Sequence, residues 1–154
     1  MNLPLFALEA FQVLGMMILA SGLLGRNLVL RRDITPRDAR NVRRLDVYAW
    51  SGAAIAGVSH GAIVISDVAG RELHMLLNRF EWLEIGLFSL LLALQVFPAR
   101  VFHSWHRYVV RDQIPWYTDR QHDAIVWIGR VQIVLVMLLP VLPPFISRGI
   151  GLPR

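Results

Sequence analysis

The chain contains no cysteine and no lysine. Without cysteine it can form no disulfide and offers no thiolate as a nucleophile or metal ligand. Without lysine it has no side-chain amine for a Schiff base, because all 16 Lys and Arg positions are arginines. Only 18% of the 154 residues are charged, whereas 55% are hydrophobic, and the mean hydropathy is +0.48. Soluble domains are rarely so apolar, so the composition indicates an integral membrane protein.

Four long stretches carry no charged side chain, at residues 10–25, 47–66, 85–99 and 131–147. A helix needs about 20 mostly apolar residues to cross a bilayer. With their flanking residues, these stretches predict four spans, at about 3–28, 46–68, 81–102 and 123–146. The predicted fold is an all-α integral membrane four-helix bundle, a single domain over residues 1–154. The first 25 residues lack a basic start and carry Glu9, which favours a retained span over a signal peptide.

Arginine is distributed unevenly between the two ends of the predicted bundle. Eleven arginines lie in or beside connections one and three, against four in connection two and the C-terminal segment. The positive-inside rule therefore predicts that connections one and three are cytoplasmic in a bacterial inner membrane, with both termini outside. Because this rule also explains the pI of about 10.9, we expect no nucleic acid as partner. The expected partners are the lipid bilayer and other membrane subunits or further copies of the chain.

Connection one contains the start signal of a helix. Thr35 has a side chain suited to an N-cap, and Pro36 suits the first helical position. The arginines that follow predict a short basic helix, which lies on the anionic inner leaflet and runs into span two.

A pattern of Arg, Asp, Trp and Gly occurs at the predicted starts of spans two and four, as Arg43-x-x-Asp46-x-x-x-Trp50-x-Gly52 and Arg120-x-x-Asp123-x-x-x-Trp127-x-Gly129. An aspartate at a helix start can cap free N–H groups, and tryptophan prefers the membrane interface. A true duplication would make the protein two parallel helical hairpins. Chance and shared membrane-entry chemistry are the alternative.

Small residues and prolines predict two further features of the spans. Gly57 and Gly61 lie one turn apart and permit close helix packing, within the bundle or between copies of the chain. Pro140, Pro143 and Pro144 interrupt the last third of span four, which should kink or unwind there.

Ionisable side chains inside a membrane are expensive and mark candidate sites. Counting 1.5 Å per residue places Glu9, His60 and Glu84 at similar depth in the half of the membrane away from the cytoplasm. Gln12 lies one turn from Glu9 on the same predicted helix face. These four side chains predict a ligand or proton site: a divalent cation, a proton relay or a small-molecule pocket.

The alternative interpretation is that the carboxylates in this half, those of Glu84 and its neighbour Glu81, face interfacial water. His60 would then bond to a backbone carbonyl. Arg130, nearer the cytoplasmic side, is expected to snorkel inward or to pair with a carbonyl.

A second group of candidate ligands surrounds connection three. His103 and His106 have the i, i+3 spacing that can chelate one metal, and His122 lies across the connection. The same tract also fits an interfacial aromatic and basic helix end. A haem held by two histidines needs matched depth on different helices, whereas His60 is the only deep histidine. A haem bound through His60 alone or with a non-histidine partner stays open, as does a divalent metal.

Short motifs along most of the chain resemble one bacterial family. They are Asp46-x-Tyr48, the residues Asn78, Phe80 and Trp82, then Pro98 with Phe102, and the ending Pro144-x-x-x-Arg148-Gly149-x-Gly151. That family consists of small four-helix membrane proteins of unknown function (domain of unknown function 2214). The layout is more distantly similar to copper-resistance membrane proteins and to the haem-dependent protoporphyrinogen oxidase. Those relatives carry a histidine where this chain has Gln12 and often a lysine where it has Glu84, so no ligand role transfers.

Three classes of function fit this sequence. The first is an accessory or structural subunit of a larger membrane complex, favoured by the small size and the close-packing spans. The second is a small protein that handles electrons, metal or haem at the Glu9–Gln12–His60–Glu84 group. The third is a transporter or channel built as an oligomer. No motif indicates an enzyme, and no cofactor is required by the sequence.

Overall fold

The computed structural model describes residues 3–69, 78–116 and 118–144, and within them all regular structure is helical. The helices are α1 (Leu3–Val29), α2 (Pro36–Ala69), α3 (Arg79–Ser104), the short α4 (His106–Val110) and α5 (Asp119–Leu138), with a 3₁₀ turn at Leu139–Val141. Four helical segments of this described part are long and apolar enough to cross a membrane. The predicted all-α fold with four spans is therefore confirmed.

The starts of α2 and α5 lie earlier than the spans predicted from apolar runs. α2 begins at Pro36, because the Thr35 hydroxyl accepts the backbone N–H of Asp38 at 3.1 Å and donates to its carboxylate at 2.7 Å. The expected N-cap is thus confirmed. The basic segment runs into span two as expected, since it is the first part of one continuous 34-residue helix. Its position on the inner leaflet stays a prediction. Apolar runs miss such a start because a polar helical extension has no hydropathy signal.

The closest helix contact joins α1 and α2 through glycines. A Cβ atom on Gly15 would lie 2.5 Å from the backbone nitrogen of Ala56, and one on Gly22 would lie 2.7 Å from that of Ala49. A Cβ on Gly52 would overlap the backbone nitrogen of Leu19. Only glycine allows backbones this close, so these positions determine the register and the rotation of the two helices.

The glycine pair named from the sequence does not make this contact. A Cβ on Gly57 would meet the Phe88 ring at 3.3 Å, and one on Gly61 would meet nothing within 4 Å in the described part of the chain. Close packing of α1 and α2 thus lies at other glycines, because a Cβ on neither of these two would meet α1. A role for Gly57 and Gly61 between copies of the chain stays a prediction.

The two copies of the Arg-Asp-Trp-Gly pattern have different surroundings. Asp46 is buried in the first third of α2, whereas Asp123 is exposed and lies 3.2 Å from Arg32. Neither aspartate caps its helix, because Thr35 caps α2 and Thr118 forms a capping box with Gln121 at α5. The expectation of aspartate caps is therefore wrong, and the parallel-hairpin arrangement stays a prediction.

The proline-rich end of span four unwinds as predicted. α5 ends at Leu138, and the chain continues as a 3₁₀ turn with Pro140 near its start. Proline lacks the N–H that the α-helical ladder needs, so the tighter turn replaces it. Residues 145–147 of the predicted apolar run lie outside the described residues.

Apolar side chains form two clusters along the bundle. The first contains Leu19, Leu23, Ala49, Ala53, Leu91, Leu135, Val136 and Leu139, and is here named the apolar belt. The second lies at the arginine-rich end, where α1 leads into α2, and contains Leu30, Ile34, Ala39, Val42, Phe102, Trp105 and Ile125. Each cluster borders a layer of polar side chains.

Candidate functional site

The first polar layer lies beyond the apolar belt, at the end of the bundle where α1 begins and α3 begins. It consists of Gln12, His60, Glu81 and Glu84 and is named the His60 layer. Gly15 packs on Ala56 in the antiparallel pair of α1 and α2. Gln12, about one turn before Gly15, therefore faces His60, about one turn after Ala56. The first turns of α3 bring in the two glutamates.

Hydrogen bonds and an ion pair join the four side chains of the His60 layer. The amide nitrogen of Gln12 lies 3.1 Å from Nδ1 of His60 and donates to Oε1 of Glu84 at 3.3 Å. On the other side of the ring, Nε2 of His60 lies 2.8 Å from Oε1 of Glu81. Nδ1 and Oε1 of Glu84 are 3.8 Å apart. Both ring nitrogens thus face side chains from neighbouring helices.

The acidic side chains of this layer are removed from solvent. Glu81 is 1% and Glu84 8% exposed, so the alternative in which they face interfacial water is wrong. Glu81 lies in the first turn of α3, whose N-cap Asn78 accepts the backbone N–H of Phe80 at 2.9 Å. The free N–H groups of a helix start carry partial positive charge, which favours a carboxylate at this position.

Glu9 does not join the layer. It is exposed on α1, whereas a line of partly or fully buried positions runs along another side of that helix: Leu8, Gln12, Gly15, Leu19, Gly22 and Arg26. Positions that are alternately four and three residues apart lie on one face of a helix, the face that packs against its neighbour. Glu9 lies off that face, so its predicted convergence with His60 and Glu84 is wrong. Glu81 takes the second acidic position instead.

The arrangement fits a proton better than a metal ion. Zinc-type ligands lie about 2.0–2.2 Å from the ion at tetrahedral angles, which separates two ligand atoms by about 3.3 Å. Nε2 of His60 and Oε1 of Glu81 are only 2.8 Å apart, closer than two ligands of one ion, and their contact is an ion pair rather than a well-aligned hydrogen bond. Among the described residues, no group of three or more His, Cys, Asp or Glu is placed to hold a metal ion.

A haem would also require rearrangement here. Nε2 and Nδ1 of His60 are both in contact with side chains, those of Glu81 and Gln12. An axial ligand must present one nitrogen to the iron. One of the two contacts would therefore have to open before His60 could bind a haem.

A second polar layer lies between the two apolar clusters. It contains one residue from each long helix, Arg26, Asp46, Gln95 and Gln132, and is named the Arg26 layer. Nη1 of Arg26 donates to Oδ1 of Asp46 and to Oε1 of Gln95, both at 2.9 Å. Nη2 donates to Oε1 of Gln132 at 2.6 Å. Gln95 donates to Asp46, and Gln132 donates to Gln95, both at 2.7 Å.

The Arg26 layer holds the four helices together. Arg26 and Gln132 are completely buried, and the guanidinium carbon lies 5.7 Å from the centre of the Phe102 ring. This layer was not predicted from the sequence, because Arg26 was expected in the arginine-rich connection and Asp46 at a helix start. The signal in the sequence that could have indicated this layer is the pair of glutamines, Gln95 and Gln132, each within an apolar run.

The three histidines near connection three do not form a metal site among the described residues. α3 ends at Ser104, so a turn at Trp105 separates His103 from His106. His106 has Nδ1 2.6 Å from a guanidinium nitrogen of Arg43, while His122 is buried on α5. His103 and His106 are exposed on either side of this turn and His122 is buried, so the structure does not bring the three side chains together.

Arg130 is exposed on α5 rather than drawn into the bundle. Its guanidinium carbon lies 5.9 Å from the centre of the Trp127 ring, a cation–π distance. The side chain thus runs back along the helix toward the arginine-rich end, as expected of a snorkelling residue.

The fold and its two polar layers define a small all-α protein of four membrane-spanning helices. Residues 6–151 match the model of a family described as predicted membrane protein (DUF2214), and the chain belongs to that family. No curated protein and no solved structure matches the chain. The more distant resemblance to copper-resistance proteins and protoporphyrinogen oxidase is not confirmed.

Proposed function

We propose that this chain is a bacterial inner-membrane protein whose His60 layer binds and releases a proton. One observation carries the proposal: His60 lies between two buried carboxylates, with Nε2 2.8 Å from Glu81 and Nδ1 3.8 Å from Glu84. Buried ionisable groups inside a membrane are costly and are kept for function by default. Histidine is the side chain that most readily changes charge near neutral pH.

Two protonation states of His60 fit the contacts around it. When Gln12 donates to Nδ1, the ring is neutral and its own proton lies on Nε2, facing Glu81. When a further proton binds Nδ1, the ring is a cation between two carboxylates. Nδ1–H then donates to Glu84, and the Gln12 amide turns its oxygen toward the ring. The side chains of two other helices thus respond to one proton.

Nitrogen NMR of the protein labelled in its histidine rings, in lipid nanodiscs, tests this proposal. We expect the His60 ring to change from one protonated nitrogen to two between about pH 9 and about pH 4. The His60→Gln variant assigns the signal. Glu81→Gln removes a carboxylate without changing its shape and should shift the midpoint of the His60 titration.

Ser89→Ala, an exposed exchange on α3 away from the layer, is the control and should leave the midpoint unchanged. A His60 ring that keeps a single state over the whole range would contradict the proton site. So would an identical midpoint in the Glu81→Gln variant.

The surfaces of the spans support a second proposal, that the protein is an accessory subunit of a larger membrane complex. Only 22% to 33% of the residues in each apolar helical window are buried within the chain. Large apolar side chains such as Phe6, Phe11 and Trp82 are exposed. Lipid or other membrane subunits must cover this surface.

Native electrophoresis of membranes solubilised in mild detergent tests whether lipid or other subunits cover this surface. An accessory subunit comigrates with a larger complex, and the complex disappears or shrinks when the chain is deleted. Migration as a small species after both mild extraction and cross-linking in intact membranes would contradict the accessory role. The proton site does not depend on this result.

A further inference from the structure

The apolar belt separates the two polar layers. Its buried members come from all four long helices and from the 3₁₀ turn, for example Leu19, Ala53, Leu91 and Leu139. Between Gln12 and Arg26 the chain of α1 advances by about 21 Å, counted at 1.5 Å per residue. The corresponding distance on α3, from Glu84 to Gln95, is about 17 Å.

No buried polar side chain of the described residues lies within the belt. Proton transfer proceeds between groups within hydrogen-bond reach, about 3 Å, or through intervening water. Apolar, close-packed interiors stay dry. A proton on His60 therefore has no acceptor within the apolar belt that could pass it on to the Arg26 layer.

The Arg26 layer also cannot continue a proton path. The guanidinium of Arg26 does not release its proton in proteins, and it is bound by Asp46, Gln95 and Gln132. The two amide side chains do not ionise, and the one carboxylate of the layer, that of Asp46, is held as the acceptor of Arg26 and Gln95. The layer is therefore a fixed cross-link between helices rather than a relay.

From these features we infer that the His60 layer exchanges protons with only one aqueous side, the side on which α1 begins. The chain then reports or buffers the pH of that side and does not conduct protons across the membrane. This inference rests on the proposed proton site. A proton site that is open to one side only distinguishes this protein from a transporter or channel.

The charged groups around His60 support access from this side alone. Glu81 and Glu84 face it from α3, and Gln12 faces it from α1. Glu9 on α1 and Arg79 on α3 are exposed at the same end of the bundle. The described part of α5 after Gln132, with the turn that follows, has no titratable side chain. The His60 side chain is itself 21% exposed.

Sided titration in proteoliposomes tests the inference. The protein, labelled in its histidine rings, is reconstituted and selected for one orientation by protease cleavage of an added C-terminal tag. The pH inside and outside is then set separately with impermeant buffers. We expect the His60 signal to follow the buffer at the α1-start end only. His103, exposed at the arginine-rich end, is the internal control and should follow the other buffer.

Proton leak through the same vesicles, followed with a trapped pH dye, provides the second measurement. The protein should leak no faster than empty vesicles, and Leu91→Gln, which places an amide in the belt, should raise the leak more than Leu90→Gln on the exposed face. A His60 signal that follows the arginine-rich side, or a leak abolished by His60→Gln, would overturn the one-sided site alone. A His60 signal that follows neither buffer would overturn the proton site itself.

Discussion

Nη1 of Arg26 and Oδ1 of Asp46 are 2.9 Å apart in the middle of the bundle, with both side chains buried. Their positions, 20 residues apart in sequence, join α1 to α2 inside the layer that also receives Gln95 and Gln132. A buried ion pair costs desolvation free energy. Here Oδ1 of Asp46 and both glutamine oxygens accept hydrogen bonds, while Nε of Arg26 has no partner among the described residues. The ion pair fixes the register of α1 against α2, since the two side chains meet at only one alignment of these helices.

Removing one member of this pair should destabilise the protein strongly. Asp46→Leu leaves the Arg26 guanidinium buried without its counter-ion, a loss of about 3–5 kcal/mol in the free energy of unfolding. The double variant Arg26→Leu/Asp46→Leu should recover a large part of that loss, because Gln95 and Gln132 still bond to each other. Denaturant unfolding in detergent micelles measures both. A double variant as unstable as the sum of the two single variants would contradict the pairing.

Gly52→Ala should weaken the contact between α1 and α2. The new Cβ would overlap backbone atoms of Leu19, and backbone cannot move aside as a flexible side chain can. Gly61→Ala, the same exchange on the same helix, adds a Cβ with nothing within 4 Å and is the matched control. We expect a lower midpoint of thermal unfolding for Gly52→Ala only. Equal midpoints would show that the helices do not pack through Gly52.

Gly129→Ala should also destabilise the protein, through a different neighbour. A Cβ on Gly129 would overlap the side-chain amide of Asn27, which is buried at the contact of α1 with α5. Asn27→Ala removes that amide, so the double variant Asn27→Ala/Gly129→Ala should be more stable than Gly129→Ala alone. Gly86→Ala, where nothing lies within 4 Å, is the control. Additive effects of the two exchanges on the unfolding midpoint would contradict the contact.

The proposed orientation predicts where reporter fusions are active. Fusions within residues 66–72 and at the C-terminus should place alkaline phosphatase outside the cytoplasm, where it folds and is active. A fusion in connection one, after Arg37, should be inactive with phosphatase and fluorescent with a green fluorescent protein reporter. The reason is the excess of arginine in connections one and three. Fluorescence at both outer positions would reverse the orientation.

The family and the secondary structure were accessible from sequence because they depend on local patterns. Apolar runs predicted the four spans, and Thr35 with Pro36 predicted the start of α2. Pro140 predicted the end of regular α-helix in span four. Each of these features depends on residues close together in the chain, so no knowledge of the packing was needed.

The polar layers depend on how each helix is rotated, which a count along the membrane normal does not supply. The depth of Glu9 was close to that of His60, yet Glu9 lies off the packed face of α1, while Glu81 joins the layer. Arg26 and Asp46, expected at the membrane surface, are buried instead.

The sequence by itself determined that this protein is a four-span membrane protein, since length, hydropathy and proline positions act locally. Only the tertiary structure decided which polar residues meet. The physical reason is the close contact at Gly15, Gly22 and Gly52, where the absence of side chains lets α1 and α2 approach. That approach sets the rotation that turns Gln12 toward His60 and Arg26 toward Asp46, and so produces both polar layers.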